Sequence, residues 1–132
     1  MERTIRVLLV DDEADFIEPV AFWLKSKGYA ITAASNGAEA IALIKRDAPD
    51  IVFLDLHMPI MDGLQTLRRI RGFNKDLPVI IITAVYQDRE SFTQANALGI
   101  SGFFPKQSSL SSLARIIETS LKAHAKLKSP PA

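Results

Sequence analysis

The feature that most constrains the fold is the segment Ile51–Asp55, in which four apolar residues run directly into an aspartate. An apolar run without polar alternation is typical of a strand that is buried on both faces, as in a parallel sheet. An acidic side chain at the carboxyl end of such a strand faces the crevice in which open α/β sheets bind their ligands. The segment therefore predicts a buried parallel strand that ends in a candidate functional residue.

Four other segments are predicted to be strands, and helical patterns separate them. The strands are expected at residues 5–10, 29–34, 79–82 and 100–104, and the helices are expected to begin near residues 14, 36, 62, 88 and 109. Five strands that alternate with five helices predict an α/β fold, a doubly wound parallel sheet with helices on both faces. Of the two common strand orders we expect the flavodoxin-like order 2-1-3-4-5, which places the first and third strands side by side.

Two helix starts carry capping signals, and one helix contains a proline. Asn36 with Glu39, and Asp62 with Gln65, have the spacing of a capping box. Pro19 lies within the first helical pattern, where it would remove an amide donor and crowd a carbonyl. We therefore expect that helix either to bend or to begin late.

Composition is that of an ordinary soluble globular protein. The 132 residues are 48% hydrophobic and 23% charged, and the lack of cysteine excludes disulfides and thiolate metal sites. A net charge of +1 gives no case for a nucleic-acid-binding surface. No apolar run approaches the roughly 18 residues that suggest a membrane span, and no signal-peptide pattern opens the chain. We expect a cytoplasmic protein with neither nucleic acid nor membrane as a partner.

The end of the chain differs in character from the rest. Residues 123–132 contain lysine but no acidic residue, and they finish with Ser-Pro-Pro-Ala. We expect residues 1–122 to form one domain and residues 123–132 to be a basic, proline-ending tail or linker. The sequence leaves open whether the chain stands alone or belongs to a longer protein.

Polar residues collect at the carboxyl ends of the predicted strands. Asp11 and Asp12 follow the first strand, Asp55 ends the third, Thr83 follows the fourth and Lys106 follows the fifth. Because parallel strands end at the same edge of a sheet, these residues are expected to share one crevice. Three close carboxylates repel one another unless a cation is present. Oxygen ligands of this kind suit Mg²⁺, which we expect as a cofactor.

The same crevice has the groups that surround a phosphoryl group. A metal on one side, an ammonium from Lys106 and a hydroxyl from Thr83 would hold its oxygens. Asp55 can then act as a nucleophile toward phosphorus, as carboxylates do in aspartyl-phosphate enzymes. Each residue alone is weak support, since strand-ending aspartates, threonines and lysines are usually structural or solvated. Their joint occurrence predicts phosphoryl chemistry at Asp55.

Over about residues 4–122 the sequence resembles the response-regulator receiver domain, of the chemotaxis response-regulator type. The motifs that carry the resemblance are Val10-Asp11-Asp12, residues 49–55, Met58-Pro59, Met61-Asp62-Gly63, Thr83-Ala84 and Gly102-Phe103-Phe104-Pro105-Lys106. The resemblance implies a phosphoacceptor of a two-component system, which takes a phosphoryl group onto Asp55 from a sensor histidine kinase or a phosphotransfer protein. It also implies that the chain is not an enzyme beyond promoting its own phosphorylation and dephosphorylation.

The resemblance also implies roles for individual residues. Asp12 and Asp55 would bind Mg²⁺ directly, Asp11 would help through water, and the backbone carbonyl of His57 would complete the metal site. Thr83 and Lys106 would hold phosphoryl oxygens, and Phe103 would be the aromatic residue of the switch. The partner face for a downstream effector would comprise the 88–98 helix, the fifth strand and the last helix.

One position departs from the family pattern. The family has a proline directly after the lysine, commonly with a cis bond, whereas Gln107 follows Lys106 here. A cis bond without proline costs about 2.5–4 kcal/mol, so we expect the Lys106–Gln107 bond to be trans. This departure is also the only support for a receiver-like scaffold that is never phosphorylated.

Another class of protein also uses an aspartyl phosphate, the small haloacid-dehalogenase-like phosphatases. They typically place a second acid two residues after the nucleophile, where this chain has His57. The chain is also too short to include a substrate-capping domain. A phosphorylation-gated signalling switch is therefore the leading interpretation.

Overall fold

The computed structural model describes residues 4–58, 61–83 and 89–128, with side chains in the last range described as far as residue 123. The elements are β1 (Arg6–Val10), α1 (Ala14–Ser26), β2 (Ala30–Ala34), α2 (Gly37–Arg46), β3 (Ile51–Asp55), α3 (Gly63–Phe73), β4 (Val79–Thr83), α4 (Arg89–Leu98), β5 (Gly102–Pro105) and α5 (Leu110–Lys128). All strand pairs are parallel, and the order is β2-β1-β3-β4-β5. The predicted fold class and strand order are confirmed.

The sheet separates two hydrophobic clusters. Alternate residues of β3 point to opposite faces, so Val52 and Leu54 belong to one cluster and Ile51 and Phe53 to the other. Helices α2, α3 and α4 contribute buried residues to the first cluster, whereas α1 and α5 contribute them to the second. Both β3 and β4 are buried along their whole length, which explains their uninterrupted apolar sequences.

The predicted helix caps differ in how completely they form. The Asp62 side chain accepts a hydrogen bond from the Gln65 N–H, and the Gln65 side-chain oxygen accepts one from the Asp62 N–H, so this capping box is confirmed. At α2 only the forward half is present, in which the Asn36 side chain accepts from the Glu39 N–H at 2.8 Å. The reciprocal half predicted there is wrong, because the Glu39 carboxylate instead lies 3.5 Å from the Ser35 hydroxyl.

The first helix begins at Ala14, so of the two expected outcomes the late start is wrong, and the bend stays a prediction. Pro19 lies inside the helix and is exposed. On that side water can satisfy the carbonyl that loses its partner. The burial of Ile17, Val20 and Leu24 on the opposite side continues the helix through the proline.

The other boundaries agree with the predictions to within a few residues. The hydroxyl of Ser109 caps the last helix by accepting a hydrogen bond from the Ser112 N–H at 3.3 Å. This helix continues to Lys128, past the proposed domain limit at residue 122, and the division between domain and tail stays a prediction. Pro59, Ala84 and Asp88, the cap expected for α4, lie outside the described residues. None of the described helices has the length and apolarity to cross a lipid bilayer.

The start of α3 is pressed against the end of β3. The Gly63 N–H donates to the carbonyl oxygen of Leu56 at 3.0 Å. A β-carbon at this position would lie 2.0 Å from the carbonyl oxygen of Asp55, so a larger residue would force the helix and the strand apart. The glycine therefore fixes the backbone around the acidic end of β3.

Gly63→Ala is expected to lower the free energy of unfolding by about 1–3 kcal/mol, because the added methyl group overpacks a backbone contact. Gly72→Ala in the same helix is the matched control, since nothing lies within 4 Å of a β-carbon there. That change is expected to stabilise the protein by up to about 1 kcal/mol through helix propensity. Urea unfolding of both variants measures the difference, and equal shifts would contradict the packing argument.

Candidate functional site

Three aspartates meet at the carboxyl edge of the sheet. Val10 pairs with Leu54 in the register of β1 and β3, so Asp11 and Asp55 follow neighbouring positions. One carboxylate oxygen from each of Asp11, Asp12 and Asp55 lies within 4.8 Å of the other two. Asp11 and Asp55 are each only 3% exposed, whereas Asp12 is exposed. This cluster could hold a metal ion.

The two buried aspartates are held in the same way. In each, Oδ1 accepts a hydrogen bond from the backbone N–H two residues ahead, from Glu13 to Asp11 at 2.9 Å and from His57 to Asp55 at 3.1 Å. Such local turns are a common use of aspartate at the end of a strand. They fix the carboxylates so that both Oδ2 atoms face the Lys106 ammonium.

The Lys106 ammonium lies among three carboxylates. Its Nζ is 2.7 Å from Asp11 Oδ2 and 3.4 Å from Asp55 Oδ2, and it also pairs with Glu13 Oε1. The backbone N–H of Lys106 donates to the carbonyl oxygen of Thr83 at 2.9 Å, which ties the end of β5 to the end of β4. The lysine side chain is 11% exposed, and its Nζ lies 5.0 Å from the centre of the Phe16 ring.

The surroundings of Asp55 favour its protonated form. Burial raises the pKa of the Asp55 carboxyl to about 6, and the neighbouring Asp11 charge acts in the same direction. The His57 N–H and the Lys106 ammonium oppose this rise. A cation that bound beside Asp55 would add to that opposition and favour the ionised carboxylate.

The surroundings of Lys106 favour its charged form. Burial alone would lower the pKa of the ammonium. The hydrogen-bonded carboxylates of Asp11 and Glu13, together with the charge of Asp55, outweigh burial and raise that pKa above the usual lysine value. Lys106 therefore stays protonated and supplies a permanent positive charge to the cluster.

The remaining predicted residues lie around this cluster. Thr83 is 1% exposed at the end of β4, and His57 is exposed on the loop after β3. Phe103 is half-buried, and its ring lies 4.3 Å from that of Phe92 on α4 in an edge-to-face arrangement. Phe104 is buried on the opposite face of the sheet, as the alternation along the strand predicts.

Three residues at or near the site, Glu13, Phe16 and Phe92, were not predicted from the sequence. Glu13 was visible as the third acid after β1, but nothing in the sequence showed that its side chain turns toward Lys106. Phe16 and Phe92 are apolar helix residues whose ring contacts depend on how the helices pack. The Lys106–Gln107 peptide bond is trans, as expected.

The model of the response regulator receiver domain family matches residues 7–118. The chain belongs to this family. As a response regulator receiver it is a phosphoacceptor domain of two-component signalling. The predicted resemblance is confirmed.

Known regulatory proteins are similar in sequence to this chain. The chain is 36% identical over 110 residues to the response regulator MprA of Mycobacterium tuberculosis, an alignment that covers 83% of this chain and 47% of that protein. It is 44% identical over 82 residues to the probable transcriptional regulatory protein TcrX of the same species, covering 62% of this chain and 35% of that protein. The chain thus matches about half the length of MprA and about a third of the length of TcrX.

Solved structures show the same architecture. The receiver domain of NtrX from Brucella abortus superposes with a TM-score of 0.81 at 31% identity, covering 88% of this chain and 98% of that one. A CheY-like response regulator receiver domain protein from Methanospirillum hungatei superposes with a TM-score of 0.89, covering 94% and 98%. Its identity of 22% makes it a likeness of fold alone.

The raised pKa of Asp55 predicts a pH dependence for the metal-free receiver. The ordinary pKa of this carboxyl is 3.8 and its folded value is about 6, so the folded state binds the proton more tightly. The extra stability that the folded state gains from the proton on Asp55 is therefore fully present below pH 3.8, and it is lost as the pH rises through about 6. Asp55→Asn lacks this loss, so the variant should gain stability relative to the wild type across that window.

Urea unfolding in chelator between pH 4 and pH 7 measures this difference. Between pH 4 and pH 7 the free energy of unfolding of Asp55→Asn is expected to rise relative to that of the wild type by on the order of 1–2 kcal/mol. A stability difference that stayed constant over the window would contradict the assigned environment of Asp55.

Proposed function

We propose that Asp55 accepts a phosphoryl group from the phosphohistidine of a sensor histidine kinase or phosphotransfer protein. The observation that carries the proposal is the position of Asp55 Oδ2, which faces the Lys106 ammonium at 3.4 Å while Oδ1 is fixed by the His57 N–H. One oxygen is thereby oriented by the backbone and the other is directed into the cluster.

In the transfer, a carboxylate oxygen of Asp55 attacks phosphorus and forms the new O–P bond. The P–N bond of the phosphohistidine breaks, and its electron pair remains on the imidazole nitrogen of the donor. Lys106 neutralises part of the charge on the phosphoryl oxygens, and the Thr83 hydroxyl donates a hydrogen bond to one of them. Hydrolysis by water breaks that O–P bond, releases inorganic phosphate and returns Asp55 to its carboxylate. The receiver would thus promote its own phosphorylation and dephosphorylation and act on no other substrate.

The donor set at the cluster fits a divalent cation of the Mg²⁺ type. Carboxylate oxygens of Asp11, Asp12 and Asp55, together with the backbone carbonyl of His57, would hold it. The balance of charge supports this fit, since three aspartates meet here and the Lys106 ammonium, which pairs with Asp11 and Asp55, compensates them only in part. The ion would supply positive charge for the phosphoryl oxygens and relieve repulsion among the carboxylates.

The signal would leave the site through Thr83 and Phe103. Donation from the Thr83 hydroxyl to a phosphoryl oxygen draws that side chain toward Asp55, and the Phe103 ring follows into the space behind it. Phe103 contacts Phe92 of α4, so movement of one ring changes the packing of the other. Helix α4, strand β5 and helix α5 would thereby form the face that a downstream effector recognises.

Incubation with phosphoramidate and Mg²⁺ is expected to add about 80 Da, the mass of one phosphoryl group, to the intact receiver. Asp55→Asn removes the nucleophile and should abolish the adduct. Lys106→Ala should slow its formation by more than tenfold, because the buried charge that stabilises the phosphoryl group is lost. Time-resolved intact mass spectrometry measures all three proteins.

The control is the same incubation with Mg²⁺ removed by chelator, in which the adduct should not accumulate. Loading should also shift the aromatic NMR resonances of Phe92 and Phe103. An adduct that survives Asp55→Asn would overturn the assignment of the acceptor. Loading without any change in the two aromatic residues would overturn the proposed switch.

A further inference from the structure

Glu13 differs from the other carboxylates that contact Lys106. Asp11 and Asp55 are buried and belong to the three-aspartate cluster, whereas the Glu13 side chain is 60% exposed and lies outside that cluster. Even so, of the carboxylate oxygens in the described part of the chain, Glu13 Oε1 is the closest to the Lys106 ammonium. The lysine therefore has a direct partner to which the proposed phosphoryl transfer assigns no role.

Two residues at the start of α1, Glu13 and Phe16, contact the Lys106 side chain. Glu13 is the N-cap residue of α1, and its carbonyl oxygen accepts from the Phe16 N–H at 3.1 Å, which fixes the two residues relative to each other. The Glu13 carboxylate and the Phe16 ring both contact the Lys106 ammonium. One rigid turn thus supplies both an ionic contact and an aromatic contact to the same charge.

The ammonium lies farther from Asp55 than from its other two carboxylate partners. The separation of 3.4 Å between Lys106 Nζ and Asp55 Oδ2 is longer than the 2.7–3.2 Å that is usual for N–H···O hydrogen bonds. The contacts with Asp11 and Glu13 are both shorter. In the unphosphorylated protein the lysine is therefore committed to the α1 side of the site.

A phosphoryl group on Asp55 brings close to two negative charges and three acceptor oxygens. To neutralise them, Lys106 has to turn toward Asp55 and give up at least one of its present partners. Glu13 is the partner most easily released, because its exposed carboxylate can be solvated by water whereas the buried Asp11 carboxylate cannot. Its pairing with Lys106 competes with the phosphoryl group.

We propose that Glu13 is a positioning residue that holds Lys106 away from Asp55 and competes with the phosphoryl group for it, which slows loading of the receiver. This inference rests on the proposed phosphorylation of Asp55. It adds a residue outside the metal cluster that tunes the response without touching the reacting atoms.

The test compares Glu13→Gln with the wild type and with Glu18→Gln. Glutamine keeps the shape of Glu13 and removes its charge, and the Glu13 side chain makes no cap hydrogen bond whose loss would disturb α1. Glu18 is an exposed residue of α1 that forms no ion pair with Lys106 within the described residues, and its variant changes the net charge by the same amount. The initial rate of phosphoramidate loading is measured by intact mass in the presence of Mg²⁺.

Glu13→Gln is expected to load about two- to fivefold faster than the wild type, the range that an exposed ion pair supports. Glu18→Gln should load at the wild-type rate. The ratio of the Glu13→Gln loading rate to the wild-type rate should fall toward one as the salt concentration is raised, because salt screens the exposed ion pair that the variant lacks. A merely structural effect of the substitution would not follow the salt concentration in this way.

Each outcome decides between the claims. A wild-type receiver that is folded but never loaded overturns the proposed phosphorylation and this inference with it. A wild-type receiver that loads while Glu13→Gln loads equally fast or more slowly overturns this inference alone. Equal acceleration in Glu18→Gln, or an advantage of Glu13→Gln that does not change with salt, also overturns it.

Discussion

A single ammonium group among several carboxylates is the interaction on which the site depends. Lys106 faces Asp11, Glu13 and Asp55, and Asp12 completes the group of acids at the same edge of the sheet. Among the residues that the structure describes, one positive charge faces four ionisable acids, so the negative charge of the cluster is only partly compensated. Burial sharpens the imbalance, since the repulsion between Asp11 and Asp55 acts where water screens it poorly. The cluster is thereby prepared to bind further positive charge.

The fold brings those groups together at the carboxyl edge of the sheet. Strands β1, β3 and β5 deliver them, and the apolar residues of β1 and β3 are buried on both faces of the sheet. Turns after β1 and β3 orient the two buried carboxylates through backbone N–H groups, and Gly63 lets the start of α3 close against the Asp55 backbone. The contact between the Lys106 N–H and the Thr83 carbonyl sets the position of the lysine relative to β4. Stability and function therefore draw on the same local geometry.

Sequence reasoning succeeded where backbone pattern determines the outcome. The buried strands, their order and the gathering of Asp11, Asp12, Asp55, Thr83 and Lys106 follow from apolar runs and from the geometry of parallel sheets. It failed where side chains choose between partners. Glu39 turns to Ser35 rather than to the Asn36 backbone, and Glu13 turns to Lys106 rather than to water. Such choices depend on distances between elements that are remote in the chain, and the helix that continues through Pro19 depends on tertiary burial in the same way.

The central claim is that the acid cluster lacks positive charge that a divalent cation would supply. Thermal unfolding of the wild type and of Asp12→Asn, with Mg²⁺ added at constant ionic strength and neutral pH, tests it most directly. The wild-type midpoint should rise as Mg²⁺ increases through the millimolar range, because the ion binds only the folded cluster, and the rise should be much smaller in Asp12→Asn. A wild-type midpoint that does not change with Mg²⁺ would contradict the account.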